Sequence, residues 1–134
     1  MGTGTNNAKL IYYHRISKVL LISNQELKVI MTTQAEIINQ LKVLEALSKQ
    51  GGYSDILASS LRKIIHQERE HIQQQIRELE SDLQVFEQRY QLSSVEFYQQ
   101  FKAGKLGDEV DFVEWSAFYQ MWSDLQSRLA LLQS

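Results

Sequence analysis

The sequence predicts an all-α protein: an antiparallel helical hairpin with one long coiled-coil-like helix, followed by a short helix and a C-terminal aromatic helix. Three observations lead there. No proline occurs in 134 residues, so nothing removes a backbone donor or clashes with the preceding turn of a helix. Gln, Glu, Leu and Ile are abundant, which favours long helices over turn-rich β-structure. Apolar residues recur at steps of three and four from Ile37 onward, the spacing of a single helical face.

Residues 1–30 follow a different rule. They open on the Gly/Thr/Asn stretch Met1–Asn7 and continue as LIYYHRISKVLLIS, a β-leaning run without a clear helical stripe. Two readings stand side by side. Either the segment is an extension produced by an upstream start, with Met31 as the natural first residue, or it is a strand or helix packed on the domain. The division expected is an N-terminal extension over 1–30, marginally ordered and dispensable, and a single helical domain over 31–134.

Thr33 and Glu36 have capping-box spacing and predict the start of the first helix. Ile37, Ile38, Leu41, Leu44 and Leu47 form its apolar face, and Gly51-Gly52 stops it. Ser54 or Asp55 can cap a second helix running to about Tyr90. Its stripe is Ile65, Ile72, Ile76, Leu79, Leu83, Phe86 and Tyr90, a heptad seam from Ile72 on. Arg69 occupies a seam position, a local weakness in register. Ser93 and Glu96 predict a short helix carrying Val95, Phe97, Tyr98 and Phe101, closed by Gly104. After the turn Lys105–Glu109, Asp108 or Asp111 is expected to cap a last helix with the stripe Trp115, Phe118, Trp122, Leu125, Leu129 and Leu132.

Lengths and stripe widths constrain assembly. At ~1.5 Å per residue the second helix is about 54 Å long and the first about 27 Å, so an antiparallel first helix covers only half of it. The last helix, about 33 Å by the same rise, is long enough to cover the stretch Ile76 to Tyr90. Phe112, Trp115, Phe118, Tyr119, Met121 and Trp122 spread over roughly 180° of that last helix. One neighbouring helix cannot cover such an arc. Either the short helix at Ser94–Ala103 folds over the surplus or another chain does. Trp115 is expected inward, with Phe112 or Tyr119 outward.

Charge and composition narrow the function classes. A net charge of −2 argues against neutralising nucleic-acid phosphates as the main task. Arg62, Lys63, Arg69, Arg77 and Arg89 alternate with acids and form no basic stripe. Residues 1–30 hold Lys9, Arg15, Lys18 and Lys28 against Glu26; the rest hold 10 basic and 15 acidic side chains, a balance of −5. The apolar run Val19–Ile22 is too short for a secretory signal, and no stretch reaches the ~20 apolar residues of a membrane span. The absence of cysteine excludes disulfides and thiolate metal sites and fits a reducing cytoplasm, the expected location.

No catalytic or cofactor pattern emerges. His66 and His71 are five residues apart, about 140° around a helix, so they cannot share a zinc ion as i,i+4 histidines do. GKLGD lacks the order of a phosphate loop, and no serine sits in a nucleophile-elbow motif. Asp108, Glu109, Asp111 and Glu114 lack the order of a calcium loop and suit the positive end of a helix. The expectation is therefore no enzyme, no cofactor and no metal. The aromatic excess instead points to a protein partner met by Phe112, Trp115, Tyr119 and Trp122, with Asp108, Glu109, Asp111 and Glu114 steering a basic surface.

The block S-S-x-E-F-Y-x-x-F-x-x-G-x-L-G-D-x-x-D-F-x-E-W, beginning at Ser93 and ending at Trp115, resembles one in small prokaryotic helical proteins. Many of these are encoded beside short toxin genes and regarded as antitoxins. The resemblance covers Met31 to about Gln133 and is sharpest over Ser93–Trp122. It implies a protein that binds and neutralises a small basic toxin. Antitoxins often add a DNA-binding domain; no pattern for one is read here, so autoregulation is not implied. The alternative is a structural coiled-coil protein, a homodimer joined through the seam Ile72–Tyr90.

Overall fold

The structure, a computed structural model, describes residues 23–134. These form four α-helices, α1 (Asn24–Lys49), α2 (Asp55–Tyr90), α3 (Ser94–Lys102) and α4 (Val110–Gln133), and no strand occurs among the described residues. The protein is all-α. It divides into two units, Met1–Ser60 and Leu61–Ser134.

In the first unit, α1 starts about ten residues before the expected cap. Ser23 accepts the amide of Glu26, and the Glu26 carboxylate accepts the amide of Ser23, a complete capping box. Thr33 lies inside the helix, where its hydroxyl donates to the Val29 carbonyl. No proline or glycine separates Asn24 from Lys49, so once the upstream box nucleates a helix nothing interrupts it before Gly51. Met31 is mid-helix, and the boundary at residue 30 is not a structural one. Met1–Asn7 and most of the β-leaning run lie outside the described residues. Gly51, at φ +76°, ends α1 by pairing its amide with the Ser48 carbonyl, while Gly52 pairs with Leu47. This is a left-handed stop that an L-residue enters at a cost. Helix α1 contains no buried residue. Of its expected apolar face, Leu44 is half-buried and Ile37, Ile38, Leu41 and Leu47 are exposed.

The core belongs to the second unit. Ser54 caps α2 by accepting the Leu57 amide, and the helix is continuous to Tyr90. Its buried residues are Ile72, Ile76, Leu79, Leu83 and Phe86, the seam read from the sequence. Helix α4 runs antiparallel along this seam. Its carbonyl of Leu132 meets Arg69, Trp122 meets Glu80, Phe118 meets Phe86, and Phe112 meets Tyr90. Arg69 is no defect in register. Its Nη2 donates to the Leu132 carbonyl at 2.6 Å, supplying charge and a donor to the last turn of α4, where carbonyls lack helical partners.

Helix α3 closes over the other side. Ser93 accepts the Glu96 amide, but the Glu96 carboxylate takes the Ser93 hydroxyl rather than its backbone N–H, so the expected box is only half formed. Gly104, at φ +69°, pairs with Phe101 while Lys105 pairs with Gln100, ending α3 as predicted. Helix α4 differs from expectation at its start. The residue in cap position is Glu109 and it makes no side-chain cap bond; neither Asp108 nor Asp111 caps it.

Leu79 is only 2% exposed at the middle of the seam. Leu79→Ala should cost about 2–4 kcal/mol through lost transfer energy and a residual cavity, measured by urea unfolding of the full chain. A change below about half a kcal/mol would show the seam to be unpacked.

Candidate functional site

Trp115 organises the second unit. It is fully buried, with Phe97 of α3 stacked on it at 3.8 Å between centroids and 4° between planes. Phe86 and Tyr90 of α2 stack on it at 5.6 and 5.8 Å. A buried indole N–H needs an acceptor, and the hydroxyl of Ser94 provides it at 2.9 Å. The backbone amide of Ser94 is bound in turn by the Glu87 carboxylate at 2.8 Å. Ser94 therefore ties α2, α3 and α4 together at one residue.

The acidic turn separates into three environments. Asp108 and Glu109 are exposed. Asp111 is half-buried, its Oδ2 accepting from Arg89 Nη1 at 2.6 Å and from the Tyr90 hydroxyl at 2.8 Å. Glu114 is buried, 2% exposed. Burial, and then the bond to Asp111, push the Tyr90 phenol above its ordinary value. The hydrogen bond to Asp111 chiefly raises the Arg89 guanidinium. Both shifts favour the protonated forms that hold the cluster together.

The aromatic residues also part company. Phe112 is half-buried against Tyr90 and Phe97. Tyr119 and Trp122 are half-buried on another side, their rings 5.7 Å apart, with Tyr98 at 4.7 Å from Tyr119. So the short helix does fold over the surplus, and Trp115 points inward as expected. Trp115 and Glu114, assigned from sequence to the partner-facing set, cannot meet a partner from inside the core; the breadth of the aromatic arc reflects two covering helices.

Tyr119 and Trp122 border an open groove of about 280 Å³. Leu83 and Val95 complete its apolar lining, while Glu80, Gln84, Glu87 and Ser94 supply the polar part. Trp122 Nε1 donates to Glu80 at 3.1 Å. No basic residue lines the groove. Its volume falls below the range typical of enclosed small-molecule sites. The lining from α2 and α3 escaped the sequence reading. Its one signal was the seven-residue separation of Glu80 and Glu87, which puts both on one flank of the seam.

No metal-holding group of three His, Cys, Asp or Glu residues occurs among the described residues, and none of their helices is long and apolar enough to cross a membrane. Comparison with protein-family models, curated proteins and solved structures finds no match.

Ser94→Ala leaves the Trp115 N–H buried without its acceptor and should cost about 1–3 kcal/mol; an unchanged unfolding midpoint would contradict the bond. The raised Tyr90 value fixes a second outcome. Its contribution is complete below the unfolded phenol value of about 10 and declines as pH rises through the higher folded value. The stability difference between the native chain and Tyr90→Phe should therefore hold up to about pH 10 and shrink over the interval above it. A constant difference over that interval would count against the assignment.

Proposed function

We propose that the unit Leu61–Ser134 is a protein-binding module that takes a small basic partner on its Tyr119–Trp122 groove, acting as an antitoxin that neutralises a toxin in the cytoplasm. One observation carries the reading: two half-exposed aromatic rings beside Glu80 and Glu87, with no basic side chain in the lining. Trp and Tyr are the residues that most often anchor protein interfaces, because each buries a large rigid surface. Exposed Asp108 and Glu109 would act at longer range, raising the association rate of a basic partner. The likeness of the Ser93–Trp115 block to antitoxin-like proteins supports the partner class.

The alternative, self-association through Ile72–Tyr90, would have to displace packing already present. Ile72, Ile76, Leu79, Leu83 and Phe86 are buried within a single chain.

The test is co-expression with a short basic protein encoded beside the gene. Relief of growth arrest and isolation of a complex are expected. Tyr119→Ala and Trp122→Ala, each shown to retain helicity and melting, should weaken that complex by about 2 kcal/mol, or roughly thirtyfold. Asp108→Asn combined with Glu109→Gln should slow association at low salt and have little effect at high salt. Full affinity in folded Tyr119 and Trp122 variants would refute the groove.

A further inference from the structure

The acidic flank of the groove has a spacing that bears on what can lie along it. Glu80 and Glu87 are seven residues apart on α2. Two helical turns separate them, so they share one face at a rise of about 10.5 Å. Each carboxylate is held through one oxygen. Oε1 of Glu80 accepts from Trp122 Nε1 at 3.1 Å, and Oε1 of Glu87 accepts from the Ser94 amide at 2.8 Å. The second oxygen of each makes no hydrogen bond or ion pair with a described residue. Basic side chains of α2 and α3 are engaged elsewhere: Arg77 donates to Gln74, Arg89 donates to Asp111, and Lys102 lies over the Tyr98 ring. Leu83, between the two glutamates in sequence, shares the apolar lining with Val95 and Tyr119.

We infer that the groove takes an amphipathic helix of the basic partner, one with two arginines seven residues apart and an apolar residue between them on the same face. The inference rests on the groove being the partner surface, as proposed above. Charge complementarity decides the ends of the contact and the apolar lining decides its middle. A partner helix repeats the rise of α2, so its positions i and i+7 present two cations about 10.5 Å apart. Positions i+3 and i+4 fall between them on that face. An extended segment does not match. At ~3.4 Å per residue the same distance is about three residues, and side chains three apart on a strand point to opposite faces. Same-face cations on a strand stand about 7 or 14 Å apart. Arginine suits the site better than lysine. Its planar guanidinium donates to a carboxylate oxygen while its face lies on an aromatic ring, and Glu80 and Trp122 are bonded neighbours.

The probe is a fluorescently labelled, alanine-based helical peptide of about 20 residues containing Arg-x-x-Leu-Leu-x-x-Arg. A control of the same composition places the second arginine five positions after the first, about 140° around the helix. In anisotropy titrations with the full chain at low salt, the first peptide should bind at least about fivefold more tightly than the control. Glu80→Gln combined with Glu87→Gln keeps an oxygen to accept from Trp122 and Ser94 but removes both charges. With its unfolding midpoint unchanged, this variant should bind the two peptides equally. Glu80→Gln alone, at an exposed position, should remove part of the preference. Equal affinity of the native chain for both peptides overturns the inference. If that binding is nevertheless lost in Tyr119→Ala, the groove stands as the partner surface and only the helical spacing is refuted. A preference that persists in the double glutamine variant overturns the inference too. So does binding of neither peptide, in which case the groove itself rests on the complex obtained by co-expression.

Discussion

The packing of the second unit depends on how Trp115 is satisfied. An indole carries a large apolar surface and a single donor, so complete burial is favourable only where ring contacts and an acceptor coincide. Phe97 and Phe86 provide the contacts and Ser94 the acceptor. Because Ser94 is also held by Glu87 through its amide, the positions of α3 over α4 and of α3 beside α2 are linked. Helix α3 has only nine residues, too few to be stable alone in water. Its order derives from this shared tryptophan.

Polar contacts fix the two ends of the α2–α4 pair. At one end Arg69 meets the last turn of α4; at the other Arg89 and Tyr90 of α2 converge on Asp111 in its first turn. A seam of aliphatic residues tolerates sliding by a heptad, since Leu, Ile and Phe exchange at modest cost in packing. A buried or half-buried hydrogen bond does not, because a shifted register leaves its donor or acceptor unmade. These end contacts therefore specify register, while Ile72 to Phe86 supply most of the burial.

Covering the aromatic arc from two sides determines what remains at the surface. Helix α2 takes Trp115 and Phe118, and α3 adds Phe97 over Trp115. Tyr119 and Trp122 fall at the margin of both and stay partly open beside Glu80 and Glu87. The candidate surface is thus a product of incomplete coverage, and its acidic character comes from the flank of a helix whose other face is core.

The sequence by itself determined the helical class, the continuous α2, its buried seam and the stops at Gly51 and Gly104. All of these rest on local rules: period, capping and the left-handed turn. It misplaced the start of α1, where two capping boxes compete and only an uninterrupted helix decides between them. It also assigned Trp115 and Glu114 outward with Phe112, Tyr119 and Trp122, although the inward direction of Trp115 followed from the stripe. Tertiary structure alone decided which side of a roughly 180° arc was covered, because that depends on where α3 lands. It likewise turned Arg69 from an apparent flaw into a cap for α4, a contact across 63 positions of sequence that no periodicity encodes.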